Sequence, residues 1–367
     1  MPVYLDYAAA TPPCRAALEA FERVSRDCWY NPASLHAGGR AASDALEAAR
    51  ARAALALEVL PEEIVFCSGG TEANNLALKA AAGTHGRRRR HIVSTTLEHP
   101  SVLETLKALK ERGFEVTLVP PGGNGALAVE SVLAACRGDT FLVSVCAVCG
   151  ETGAAAPLEE LRQALRERFP DALLHTDAAQ GFLTRSGPPP RADLVTVSGH
   201  KIGAPKGIGI LSVRRGLRLA PELHGGGQES GLRSGTANAP LAASLAAAIE
   251  AYVPPGPALR AEAAARLEAA GAEILPLGGP AAPHILCFAV RSAALGRYLP
   301  GEALTRMLSD KGVYLSAGSA CKRGKRGPAL DAMTLPPGMA DGMARASFGG
   351  GTGLEDIDAL CEAIRRL

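Results

Sequence analysis

Long apolar runs are missing from this sequence: no stretch approaches the ~20 apolar residues a membrane-spanning helix needs. A surplus of charge of one sign is missing too. The formal net charge is +2, which points to neither nucleic acid nor an anionic membrane surface as a partner. The one dense basic patch, Arg87-Arg88-Arg89-Arg90, lies between Gly86 and a strand-like run and reads as a solvated loop. The first residues, Met1-Pro2-Val3-Tyr4-Leu5-Asp6, lack the basic-then-apolar layout of a secretory signal, so a cytoplasmic location is expected. No internal repeat is present. The nine cysteines are odd in number and scattered, which fits reduced thiols rather than a disulfide framework. Cys146-Ala-Val-Cys149 has the spacing of a redox or metal pair, but no second pair accompanies it and no metal site is expected.

What is present is an ordinary globular composition, 47% apolar and 21% charged, on a chain of 367 residues, long enough for two domains. Apolar runs of strand type at 64–67, 91–94, 114–119, 141–146, 172–176, 194–197 and 208–213 alternate with helical patterns. The main helical patterns are at 34–60, 71–82, 100–112, 129–136 and 157–169; residues 1–15 read as extended. This alternation predicts an α/β fold with a mostly parallel, doubly wound sheet covered on both faces. An alanine-rich helix over 237–252 precedes Pro254-Pro-Gly-Pro257, the clearest hinge in the chain. Beyond it a smaller unit mixes helices (258–270, 303–309, 354–367) with strands (285–290, 313–315).

In such sheets ligands sit outside the carboxyl ends of the strands, and the polar residues at those ends are the candidates. The 194–197 run breaks at Ser198-Gly199 and offers His200 and Lys201. A lysine at a strand end beside a serine and an imidazole suits a Schiff base to an aldehyde cofactor; the competing reading is a surface loop lysine, preferred for Lys206. Ser68-Gly69-Gly70-Thr71, at a strand-to-helix turn, forms an anion site suited to phosphate, or serves packing alone. His99 either places its ring against a planar cofactor or caps the helix that follows. Asp177 is a cation's partner, such as a pyridinium nitrogen, or an N-cap for 178–180, and Gln180 stands within reach of the same ligand. Arg345 takes a substrate carboxylate or makes a structural ion pair. Cys321 lies in a small-residue loop followed at once by Lys322 and Arg323, whose charge favours a reactive thiolate.

Together these residues resemble the cysteine desulfurase family of pyridoxal phosphate enzymes, within the class V aminotransferase fold. The markers run along nearly the whole chain: Tyr4-Leu-Asp-Tyr-Ala-Ala-Ala-Thr11, Asn31-Pro-Ala-Ser-Leu-His36, Ser68-Gly-Gly-Thr-Glu-Ala-Asn-Asn75, Glu98-His99, Asp177-Ala-Ala-Gln180, Ser198-Gly-His-Lys201, His224-Gly-Gly-Gly-Gln-Glu229, Arg233-Ser-Gly-Thr236 and Ser319-Ala-Cys321. The close-set cysteine loop resembles the housekeeping and nitrogen-fixation subgroup.

The resemblance implies a PLP-dependent transferase fold with a large domain at 16–253 and a small α+β domain at 1–15 and 254–367. It implies pyridoxal 5'-phosphate bound by Lys201, with Asp177 on the ring nitrogen, His99 stacked on the ring and Gln180 at the phenolic oxygen. Gly70, Thr71, Ser198 and His200 would hold the phosphate, with Thr236 from the other subunit of a homodimer. Asn31 and Arg345 would take the carboxylate of L-cysteine. Cys321 would accept its sulfur, leaving alanine, and pass it to an iron–sulfur scaffold or a thiolation protein. One departure stands out: where the family has His-x-Asn-Asn-Glu-x-Gly, this chain has Ala147-Val-Cys-Gly-Glu-Thr-Gly153, so Cys149 replaces an asparagine and brings a second thiol towards the cleft. The rivals are another reaction on the same cofactor, such as selenocysteine lysis or transamination, and a non-catalytic cofactor-binding homologue.

Overall fold

The computed structural model describes residues 2–86, 88–184, 187–293, 295–318 and 327–367. Seven strands form the central sheet, in the order Ile64–Cys67, Gly209–Val213, Leu194–Ser198, Leu173–Asp177, Thr140–Ser144, His91–Thr95 and Glu115–Val119. Among them Gly209–Val213 runs antiparallel to both neighbours, and the remaining pairs are parallel. The mostly parallel sheet expected from the alternation is thus the one observed.

Neighbouring residues of each strand feed opposite faces. Val93, Val143 and Val195 pack under helices Arg15–Asp27, Ala37–Leu57, Leu158–Arg168 and Ala239–Ala251. Their sequence neighbours Ile92, Leu142 and Leu194 pack under helices Gly70–His85 and Pro100–Glu111. Each such side chain contributes about 1.5–3 kcal/mol on burial. Both faces being covered explains why these strands read as continuous apolar runs. At Gly209 a Cβ would lie 2.7 Å from Gly69 Cα, so the Ser68–Gly70 turn presses backbone to backbone against the sheet.

A second core gathers Leu286, Phe288, Val290, Ala344 and Ala346 with Leu5 from the start of the chain. Its antiparallel sheet runs Arg297–Tyr298, Ile285–Ser292, Ala344–Ser347, Ser316–Ala317, with Ala272–Ile274 on the Ile285–Ser292 strand. Val3–Tyr4 pairs in parallel with Val313–Tyr314. Pro254–Pro257 links helix Ala239–Ala251 to helix Leu259–Ala269.

Two of the elements outside the sequence pattern bear on the architecture. Helix Arg15–Asp27 starts where extended chain was expected to end; its buried stripe is Ala17, Ala20 and Val24, with charged residues on the opposite face. Strand Ala344–Ser347 carries Arg345 in its middle, which breaks the run. Among the described residues no helix is long and apolar enough to cross a membrane, and no cluster of His, Cys, Asp and Glu is arranged to hold a metal.

Candidate active site

Strand Leu194–Ser198 stops in a tight turn, Gly199–Lys201, closed by Ile202 N–H donating to Gly199 O (3.0 Å). The N-terminal strip is bonded along this turn: Thr11 N–H donates to His200 O (2.9 Å) and Thr11 Oγ1 to Lys201 O (2.8 Å). Lys201 Nζ in turn donates to the carbonyls of Ala8 (2.5 Å) and Ala9 (2.9 Å). The amine is therefore held by neutral acceptors at the wall of a cavity of about 560 Å³.

Asp177 closes the neighbouring strand and lines the same cavity at 6% exposure. Its Oδ1 accepts from Ala179 N–H (2.9 Å) and its Oδ2 from Asn74 Nδ2 (2.7 Å). The capping role and the cleft position are thus both real, and both donors are uncharged. His99 caps helix Pro100–Glu111, its Nδ1 accepting from Ser101 N–H (3.1 Å), while its ring lines the cavity; burial lowers its pKa. Glu98 lies beside it, with Oε1 accepting from Cys146 N–H and Thr95 Oγ1, both at 2.8 Å. Its Oε2 is buried without a partner, and burial, joined by the Asp177 charge, pushes its pKa up to about 8.

At the other end of the cavity stand Gly70, Thr71, Ser198 and His200. The first-turn N–H groups of helix Gly70–His85 have no intrahelical acceptors, which suits an anion. A Cβ at Gly70 would sit 3.2 Å from Ser198 Cβ, so a side chain there would press on Ser198. His200 Nδ1 is buried and unpartnered, and burial, with the charges of Lys201 and Lys206 adding, lowers the ring to about 4.

The opposite wall comes from the chain's two ends. Arg345 donates to Gly150 O (2.5 Å) and pairs with Asp6 (3.2 Å), which also accepts from Ser316 Oγ (2.7 Å). Arg345 Nε remains buried and unpartnered. Gln180 Nε2 donates to Ala8 O (2.7 Å), and its Oε1 meets His284 Nε2 (3.1 Å). Its amide therefore braces the strip that holds Lys201.

The cavity thus brings together Gly70, Thr71, His99, Asp177, Gln180, Ser198, His200, Lys201 and Arg345. Asn31 and Thr236 do not line it within one chain; they share a separate surface depression with Trp29 and Tyr30. Cys149 is corrected by the structure: it is 1% exposed, packed in the core, and burial pushes its thiol up to about 11. Among the described residues, the cysteine at the wall is Cys146. Cys321 lies outside the described residues. Asn74, Ser101 and Glu98 went unassigned in the sequence; Asn74 had a signal, standing one helical turn after Gly70 on the same face.

Comparison with known proteins follows this geometry. The family model for aminotransferase class-V matches residues 3–360. A cysteine desulfurase IscS from Dictyoglomus turgidum is 33% identical over 379 residues, covering 100% of this chain and 94% of the relative. A solved "NifS-like protein" superposes with a TM-score of 0.90 at 32% identity, covering 100% of this chain and 99% of its own. A structure described as SspA in complex with cysteine gives a TM-score of 0.82 at 31% identity, over 95% of this chain and 99% of its own.

Proposed function

The chain belongs to the class-V aminotransferase family, and we propose from that premise a reading of each wall of its cleft. The protein is a pyridoxal 5'-phosphate-dependent cysteine desulfurase, which takes the sulfur of L-cysteine and releases alanine. The observation that carries the site assignment is the meeting of Lys201 with a buried Asp177 carboxylate whose two donors are both neutral. Such a carboxylate favours a cation beside it. The orphaned His200 and the open helix N-terminus fit a phosphate at the far end. The residues present therefore fit the cofactor.

When bound, the cofactor supplies an electron-poor ring that stabilises negative charge at the substrate's α-carbon. Asp177 would hold a proton on the ring nitrogen, His99 would stack on the ring and Gln180 would donate to its phenolic oxygen. Lys201, oriented by the Ala8 and Ala9 carbonyls, removes the α-proton of cysteine. Arg345 receives the substrate carboxylate, with its Nε free for that bond; Asn31 joins it from outside the single-chain cavity. Cys321 attacks the substrate sulfur as a thiolate. An S–S bond forms as the Cβ–S bond breaks, and the released electron pair stays on the carbon skeleton, which is protonated to alanine.

Three further assignments complete the reading. Residues 16–253 form one domain, and 1–15 with 254–367 the other, supported by Leu5 packing in the second core. Thr236 reaches the phosphate from a second copy of the chain, supported by its position away from the cavity beside an exposed Trp29. The sulfur passes to an iron–sulfur scaffold or thiolation protein in the cytoplasm, for which the eight free thiols of the described residues are suited.

The test is Cys321→Ala. The variant should keep the visible absorbance of the bound cofactor and stop releasing sulfide from cysteine under reductant. Sulfide release at the wild-type rate would remove Cys321 as acceptor and favour direct elimination.

A further inference from the structure

A hydrogen-bonded chain runs behind the cleft wall, joining two residues that the proposed mechanism uses separately. Asn74, 1% exposed on helix Gly70–His85, donates from one nitrogen to Asp177 Oδ2 (2.7 Å) and to Ser101 Oγ (2.9 Å). Ser101, on helix Pro100–Glu111, brings its hydroxyl to 2.8 Å from His99 Nδ1.

Donor and acceptor roles along this chain are forced. A carboxylate only accepts, so the Asn74 NH2 faces Asp177, and its two hydrogens serve Asp177 and Ser101. The Ser101 hydroxyl then has its own proton free for His99. The Ser101 backbone N–H, which can only donate, already points at His99 Nδ1 (3.1 Å). Nδ1 therefore carries a lone pair, and the proton of the neutral ring sits on Nε2. The arrangement leaves Asn74 Oδ1 buried with no partner. An unmet buried acceptor is a cost that packing alone gives no reason to retain, whereas two directed donors do.

We infer that Asn74 and Ser101 are positioning residues: the Asn74 amide fixes the Asp177 carboxylate and, through the Ser101 hydroxyl, the orientation of the His99 ring at the cleft wall, where the Ser101 backbone N–H sets its Nε2–H tautomer. The inference rests on the reading of the cleft as a pyridoxal phosphate site. It ties the orientation of the stacking ring to that of the carboxylate, across two helices and a strand.

Two measurements test it, and one needs no cofactor. Imidazole nitrogen NMR of the apo-protein should show His99 as the Nε2–H tautomer in all three proteins, with its Nδ1 resonance displaced from the wild-type position in Asn74→Leu and Ser101→Ala, where the Ser101 hydroxyl is released or lost. Equilibrium binding of pyridoxal 5'-phosphate to the apo-protein should weaken about tenfold in Asn74→Leu, from loss of a donor to a buried carboxylate. Ser101→Ala should weaken it less, and Ser101→Thr, which keeps the hydroxyl, should restore both readouts. For cysteine turnover kcat should fall while KM stays within about twofold, because the substrate's own contacts are intact. A wild-type Nδ1 resonance and wild-type cofactor affinity in both Asn74→Leu and Ser101→Ala would overturn the inference; if Asn74→Leu does not fold, the Ser101 pair decides alone. Failure of the wild-type apo-protein to take up the cofactor would instead overturn the reading of the cleft.

Discussion

On one side of the cleft, Asp177, Ser198 and Lys201 come from neighbouring strand ends of a single sheet, whose register places Asp177 opposite Thr196. On the other, Asp6 and Arg345 meet across 339 positions of chain. The first side is fixed by the sheet itself and backed by the Asn74 and Ser101 bonds. The second is a strip of N-terminal chain stitched to the Lys201 turn and to the smaller sheet. Changes to the sheet side should therefore damage cofactor binding and turnover together. A change at Arg345, on the other side, should act mainly on substrate binding.

The largest expected effect comes from Asp177→Asn. Losing the charge that favours a protonated ring should reduce sulfide release by at least about a hundredfold, in line with removal of a single preorganised electrostatic group. Cofactor affinity, measured by titration of the apo-protein, should fall in the same variant. Unchanged affinity would mean that the sheet side does not hold the ring.

A smaller and different effect is expected from Arg345→Ala. KM for cysteine should rise about tenfold through loss of a charge-assisted bond to the carboxylate, with kcat less affected. A fall in kcat with KM unchanged would erase the distinction between the two sides.

The smallest effect concerns Glu98, whose pKa rises from the ordinary 4.5 to about 8 through burial. The folded protein then holds a proton there that the unfolded chain has lost. Its contribution to stability is complete below about 4.5 and disappears as pH rises through about 8. Glu98→Gln should therefore flatten the decline of the melting temperature between those pH values. An identical slope in both proteins would show that Glu98 is ionised in the fold.

The sheet side was legible in the sequence, whereas on the strip side Arg345 stood out and its partner Asp6 did not, for a physical reason. Lys201, Asp177 and His99 each stand where an apolar strand run stops or just beyond, and local pattern alone reveals such stops. Asn74 and Ser101 matter because two helix faces meet over one strand, which a linear pattern does not encode. The Asp6–Arg345 pair depends on Asp6 bridging to Ser347 of the last strand, and no local signal carries that. Cys149 misled because a motif position gives the residue without its direction: Val148 and Gly150 line the cavity, while Cys149 between them packs into the core.

The central claim is that the amine at Lys201, and no other, binds the cofactor covalently. Holo-protein reduced with borohydride, digested and analysed by mass spectrometry tests it most directly. The account predicts a single phosphopyridoxyl group on the peptide carrying Lys201, and none in Lys201→Ala. A label on Lys206, the exposed lysine at the same wall, or no label on wild type, would contradict it.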